Sequence, residues 1–132
     1  MLDVQRIDHV ALTVVEVDRA EAFYTGIGFE RVLKIPRATF LRAADAILAL
    51  FPADAGAAPG KARGPMDRSR VAIQHVAFRV ADGTLEQWKE RLESAGISTR
   101  GPIDHEINRS LYFEDPDGHQ LELTHPLPEL RL

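Results

Sequence analysis

The chain contains no cysteine. Disulfide bridges, thiolate nucleophiles and thiolate metal sites are therefore excluded, and any metal held here must be held by nitrogen and oxygen. Long apolar runs are also missing. No stretch reaches the ~20 residues that cross a bilayer, and Met1-Leu2-Asp3-Val4-Gln5-Arg6 is not the apolar opening of a signal peptide. Nor is there a block of positive charge: 16 Lys and Arg are scattered among 20 Asp and Glu, for a net charge of −4. No basic stripe is then available to track phosphates. The expectations are a cytoplasmic protein that engages no membrane and no nucleic acid and acts on a small molecule. What remains is ordinary globular material, 45% hydrophobic and 27% charged. Its 132 residues make one domain, able to bury roughly two-thirds of the unfolded surface.

The chain is written twice. Ile7-Asp8-His9-Val10-Ala11-Leu12-Thr13-Val14 and Ile73-Gln74-His75-Val76-Ala77-Phe78-Arg79-Val80 agree at five of eight positions, the histidine included. Both alternate as half-buried strands do. Val10, Leu12 and Val14 share a face, as do Val76, Phe78 and Val80, so each histidine belongs to the opposite face. A helix is expected after each strand. Asp18 with Glu21 reads as the first N-cap, ahead of Phe23, Tyr24 and Ile27; Thr84 with Gln87 reads as a capping box ahead of Leu85, Trp88, Leu92 and Ala95. Gly28 and Gly96 close both helices. Extended segments follow at 31–35, 39–42 and 47–51, and again at 98–100, 110–114 and 120–124. Each half thus reads strand, helix, three strands.

Module one spans about 5–52 and module two about 71–126. Residues 53–70 between them, rich in Gly, Pro and Ala, read as a linker, with a lid as the alternative.

Alternation decides which residues can do chemistry. Leu121 and Leu123 pack, which leaves Gln120, Glu122 and Thr124 on the other face; Leu111 and Phe113 pack, which leaves Ser110 and Tyr112. If the two halves curl into one sheet, the non-core faces line a concavity with His9, Thr13, His75, Arg79, Tyr112 and Glu122. Two imidazoles and a carboxylate suit one divalent ion per site, Fe(II) or Mn(II) above all, with Zn or Ni possible, and leave positions open for substrate. Taken singly, each histidine also fits a hydrogen-bonded polar residue and Glu122 a solvated one.

The strands around His9 and His75, with the stretch Leu111-Tyr112-Phe113-Glu114-Asp115-Pro116-Asp117-Gly118-His119-Gln120-Leu121-Glu122-Leu123, resemble the vicinal oxygen chelate superfamily. That group includes glyoxalase I, bleomycin-resistance proteins, fosfomycin-resistance thiol transferases, methylmalonyl-CoA epimerase and extradiol dioxygenases. The resemblance implies an α+β fold of two βαβββ modules forming a curved mixed sheet around a concave metal site, with His9, His75 and Glu122 as ligands. In short members, the first module usually pairs with the second module of a partner. A homodimer is therefore expected, with His9 from one chain and His75 and Glu122 from the other.

The reaction must be argued from the site. Ala49 stands where glyoxalase I carries a second glutamate, which disfavours that chemistry and a paired-glutamate epimerase. Ile103-Asp104-His105, then Leu111-Tyr112 and Asp115-Pro116-Asp117-Gly118 before Glu122, is similar to the ring-cleaving dioxygenase signature. This resemblance implies that His105 binds a substrate oxygen and that Tyr112 stabilises the developing anion. Phe40, Ile47 and Phe51 would form an apolar wall beside Thr13 and Arg79. The expected activity is an extradiol-type cleavage of a small aromatic diol. The alternatives are a lyase or isomerase, a thiol transferase of the fosfomycin-resistance kind, or a non-catalytic antibiotic-binding protein. Against the transferase stand Ala11, where a threonine is expected, and a missing serine-and-lysine cluster before Ser110. Against the dioxygenase stands the lack of any histidine between His9 and His75. Asp115 and Asp117 read as turn formers, and His119 and His125 as surface residues.

Overall fold

The structure, a computed structural model, describes residues 2–58, 64–65, 67–69 and 71–126. The chain divides into two compact units, Met1–Pro59 and Gly60–Leu132. The division falls inside the segment read as a linker, of which 59–63, 66 and 70 lie outside the described residues.

The first unit contains β1 (Val10–Val14), α1 (Val17–Gly26), β2 (Glu30–Ile35), β3 (Ala38–Ala43) and β4 (Ala46–Pro52). Its sheet has the order β1-β4-β3-β2, with β1 parallel to β4 and the other pairs antiparallel. A parallel pair needs a long return path, and α1 with the β2–β3 hairpin provides it. α1 packs on β2, β3 and β4 and buries Ala20 and Tyr24. The Tyr24 ring meets Phe23 and Phe29 edge-on at 5.1 and 5.8 Å. Leu12, Val14, Leu41, Leu48 and Leu50 complete this core. Each such leucine contributes ~1.5–3 kcal/mol when fully removed from water.

The second unit repeats the plan: β5 (Val76–Arg79), α2 (Leu85–Ser94), β6 (Arg100–Asp104), β7 (Asn108–Glu114) and β8 (Gln120–Pro126), in the order β5-β8-β7-β6. Again the first strand is parallel to the last, and the remaining pairs are antiparallel. α2 lies against β6 and β7, and Leu85, Leu92, Leu111, Phe113, Leu121 and Leu123 are buried. The βαβββ repeat expected from the sequence is therefore the fold. Both helices close as expected, with Phe29 N–H reaching Tyr24 O and Ile97 N–H reaching Leu92 O, each at 3.0 Å. No described helix is long and apolar enough to cross a membrane.

Four local expectations are corrected. The first helix starts ahead of Asp18, with Glu16 at its N-cap and no side-chain cap; Asp18 sits in the first turn, where its charge suits the helix dipole. The Thr84 hydroxyl turns back to the Ala81 carbonyl at 2.5 Å instead of capping α2, so no capping box with Gln87 forms. The strand expected at 98–100 lies at Arg100–Asp104. β6 carries Pro102 and is an edge strand, where a missing N–H costs no ladder bond. Gly101 has φ +111°, and a side chain there would meet the Ser110 carbonyl at 2.8 Å, so the register slip in β6 requires glycine. Last, His125 lies within β8 and is 9% exposed, with Nδ1 3.7 Å from Asp82 Oδ1. The final strand simply runs two residues further than its apolar alternation.

Candidate functional site

In the second unit, cross-strand register sets a lateral row of Ala77, Glu122, Tyr112 and Arg100, because Glu122 pairs with both Ala77 and Tyr112, and Tyr112 with Arg100. Arg79, Thr124 and Ser110 share that face by the same pairing. Glu122 is 4% exposed, Tyr112 4% and Ser110 fully buried. A buried carboxylate needs partners, and Glu122 has two. Its Oε1 lies 2.9 Å from His75 Nε2, and its Oε2 accepts the Ser110 hydroxyl at 2.5 Å. His75 stands immediately before β5, and its Nδ1 lies 3.0 Å from the Pro65 carbonyl. A carbonyl only accepts, so Nδ1 carries the proton. Nε2 then either carries a second proton toward Glu122 or offers a lone pair to a cation.

This donor pair fits a metal ion. Two donors each ~2.1 Å from one ion and at right angles lie ~3.0 Å apart, close to the observed spacing. Among the described residues, no cluster of three His, Asp or Glu side chains forms. The second unit brings two of the expected three ligands together. His9 belongs to the first unit, immediately before β1. Its ring is half-exposed, with Nδ1 2.8 Å from Asp8 Oδ2 and an edge-on contact to Phe40 at 6.3 Å.

Tyr112 is the hub of the second unit's face. Its hydroxyl and His105 Nε2 are 3.0 Å apart and share a hydrogen bond, and its ring meets those of His75 and His105 edge-on at 6.0 and 6.1 Å. Burial pushes the Tyr112 phenol above its ordinary value, the Glu122 charge adds to this, and the Ser110 hydroxyl and Arg100 oppose it. The phenol is therefore a proton-bearing donor at neutral pH. His105 is half-buried in the turn joining β6 to β7 and reaches Tyr112 itself.

The expected pocket residues are less gathered. Arg79 is exposed on β5; Thr13 is exposed, Phe40 half-buried and Phe51 37% exposed in the first unit. Within the second unit a cavity of about 350 Å³ opens beside Tyr112, lined in part by Ser98, Thr99, Arg100, Glu114 and Gln120. Arg100, whose guanidinium carbon lies 5.5 Å over the Tyr112 ring, was not singled out in the sequence, because it meets Tyr112 through cross-strand pairing that no local pattern shows. Ser110 was on the right face by alternation, but nothing in the sequence marks it as Glu122's partner. The turn reading of Asp115 is borne out: its Oδ1 accepts the Asp117 and His119 N–H groups, each at 2.9 Å.

The sequence profile of the Glyoxalase/Bleomycin resistance protein/Dioxygenase superfamily matches residues 6–123. The chain belongs to that superfamily. Metallothiol transferase FosB of Shouchella clausii is 27% identical over 126 residues, covering 91% of this chain and 80% of that protein. The match to FosB of Bacillus licheniformis is 41% over 51 residues, 37% of this chain and only 33% of that protein. Biphenyl-2,3-diol 1,2-dioxygenase 2 of Rhodococcus globerulus is 37% identical over 60 residues, 45% of this chain and 32% of that protein. Among solved structures, integron cassette protein HFX_CASS4 from the Halifax Harbour sewage outfall metagenome has a TM-score of 0.73 at 30% identity, covering 92% and 98% of the two chains. The Listeria monocytogenes fosfomycin resistance protein FosX, complexed with Mn(II) and sulfate, shares the fold, with a TM-score of 0.76 at 21% identity over 98% and 97%.

Proposed function

We propose that the chain is a divalent-metal-dependent thiol transferase, the activity named for its FosB relatives, with a small oxygen-bearing electrophile as the acceptor. The observation that carries this reading is the near full-length alignment with a metallothiol transferase, set on a half-site of imidazole, carboxylate and tyrosine. This changes the order of the sequence-based expectations, in which the ring-cleaving dioxygenase stood first. The dioxygenase match takes in under half of the chain.

His9, His75 and Glu122 would hold one divalent ion, with Mn(II) the first to test because of the Mn(II)-bound FosX. When bound, the ion supplies Lewis acidity at a substrate oxygen. The remaining work falls to the side chains. Tyr112, kept protonated by burial, donates its O–H to the oxygen on which charge develops. His105 orients that hydroxyl through their shared hydrogen bond. The two units act as modules of one vicinal-oxygen-chelate domain, and two chains pair, with His9 of one completing the set on the other. The exposed apolar residues Val32, Leu33 and Ile35 of β2 support such a pairing.

A dioxygenase is the second reading, favoured by the His105–Tyr112 pair and by the 60-residue match. One experiment separates the two. Mn(II)- or Fe(II)-loaded protein is given fosfomycin with cysteine or glutathione, and in parallel a panel of catechols in an oxygen electrode. The expected result is an adduct with the summed mass of thiol and antibiotic. Oxygen uptake with a catechol and no thiol adduct would overturn the transferase reading.

A further inference from the structure

Glu122 is held from behind by a chain of hydroxyl and amide groups whose protons can be assigned one by one. Asn108 Nδ2 donates to Thr124 Oγ1 at 2.8 Å, and Thr124 Oγ1 donates its own proton to the Arg109 carbonyl, also at 2.8 Å. Thr124 therefore has no proton left for Ser110, whose Oγ lies 3.2 Å away. The single Ser110 proton has the Glu122 carboxylate at 2.5 Å, the Thr124 hydroxyl at 3.2 Å and the Tyr112 phenol in reach, and the charged carboxylate outcompetes the two neutral oxygens. Ser110 is fully buried, so water does not compete for that proton. Oε2 of Glu122 is thereby occupied, and Oε1 alone faces His75 Nε2.

We propose that Ser110, backed by Asn108 and Thr124, is a positioning residue that fixes Glu122 as a one-oxygen metal ligand. The inference rests on the metal-centre reading above and extends it. A carboxylate free to rotate can offer both oxygens to an ion; one tied through Oε2 offers one, and leaves a further position open to substrate. The first unit agrees. By the same register, Ala38 stands where Ser110 does and Ala49 where Glu122 does, so the hydroxyl occurs only where there is a carboxylate to hold.

The test is Mn(II) titration of the full-length protein by calorimetry, with free Mn(II) followed by electron paramagnetic resonance, for the wild type and for Ser110→Ala, Ser110→Thr, Thr124→Val and Glu122→Ala. Ser110→Ala should weaken Mn(II) binding about 10- to 100-fold, the usual scale for a lost outer partner. Ser110→Thr, which keeps the hydroxyl, should stay within a few-fold of wild type. Thr124→Val should weaken binding by a smaller factor, and it keeps the proposal testable if Ser110→Ala fails to fold. Infrared difference spectra should show the carboxylate stretches moving closer together in Ser110→Ala as the second oxygen is released. If Ser110→Ala binds within twofold of wild type with unchanged carboxylate bands, while Glu122→Ala loses the ion, the positioning role is overturned and the metal centre stands. If the wild type takes up no Mn(II), or Glu122→Ala binds as tightly, the metal centre falls and the role of Ser110 with it.

Discussion

The two units have the same strand order, the same parallel pair and a histidine one residue before the first strand, yet at the matched central positions the second carries a carboxylate and a phenol where the first is apolar. In the first, the lateral row reads Ala11, Ala49, Phe40 and Leu33; in the second, Ala77, Glu122, Tyr112 and Arg100. The differences are chemically consistent. Glu122 is matched by Ala49, Tyr112 by Phe40, Ser110 by Ala38 and Thr124 by Phe51, so each carboxylate or hydroxyl of the second unit is replaced by an apolar group. Phe40 keeps the ring and loses the hydroxyl: it lies edge-on to His9 at 6.3 Å, as Tyr112 lies edge-on to His75 at 6.0 Å. The backbone thus specifies a site that the first unit fills with packing and the second with polar groups. Burial forces this choice to be all or none, because a buried carboxylate without partners is far more costly than a methyl group.

The sharpest way to break that comparison is to give the first unit the second's carboxylate. Ala49 is fully buried, and its surroundings lack the serine that holds Glu122. Ala49→Glu should destabilise the chain by about 3–5 kcal/mol, the cost of an uncompensated buried charge. Urea denaturation measures it, and a loss below ~1 kcal/mol would show that the first unit tolerates the group it omits.

Removing the hydroxyl that distinguishes Tyr112 from Phe40 is the next step. Tyr112→Phe should lower turnover about 10- to 1000-fold, the range for one lost anion-stabilising donor, while metal content holds. Steady-state rates with elemental analysis check both halves, and an unchanged rate would leave Tyr112 as packing.

The smallest effect comes from charges that both units use alike. Arg31 binds Glu21 in the first, while in the second Arg109 binds Glu86 at 2.9 Å and Asp104 at 2.5 Å, tying α2 to the β6–β7 hairpin. Arg109 holds the Glu86 carboxyl below its ordinary value, chiefly by hydrogen bonding. A depressed folded-state pKa gives stability that is present above the unfolded value, ~4.3, and is lost as pH falls through the folded one. Arg109→Ala should therefore lower the melting temperature slightly at pH 7, less in high salt and progressively less as the pH falls below ~4.3. A drop that does not shrink as the pH falls would assign the effect to packing of the arginine stem.

Much of this was legible in the sequence because strand alternation writes itself in period two and the duplication repeats a whole strand segment. The eight-residue match around His9 and His75 located both first strands, and alternation around Leu121 and Leu123 put Glu122 on the face that holds His75, Ser110 and Tyr112. Illegible were features decided by tertiary context. The edge strand expected at 98–100 begins only at Arg100 and runs through Pro102 to Asp104. Thr84 was read as a cap, but its hydroxyl found a nearer carbonyl at Ala81. The hydrogen bond from Ser110 to Glu122 joins residues on different strands, so no local pattern announces it. The reaction class was weighed on single residues such as Ala11, whereas the proposed transferase reading rests on a likeness to a metallothiol transferase over 91% of the chain.

The proposed metal centre makes His75 and Glu122 the ligands of the second unit. Equilibrium dialysis against Mn(II), followed by elemental analysis of wild type, His75→Ala and Glu122→Ala, tests it most directly. The account predicts about one ion per chain in the wild type and almost none in either variant, since a three-ligand site cannot spare one. Full occupancy in Glu122→Ala, with the fold intact by circular dichroism, would contradict it.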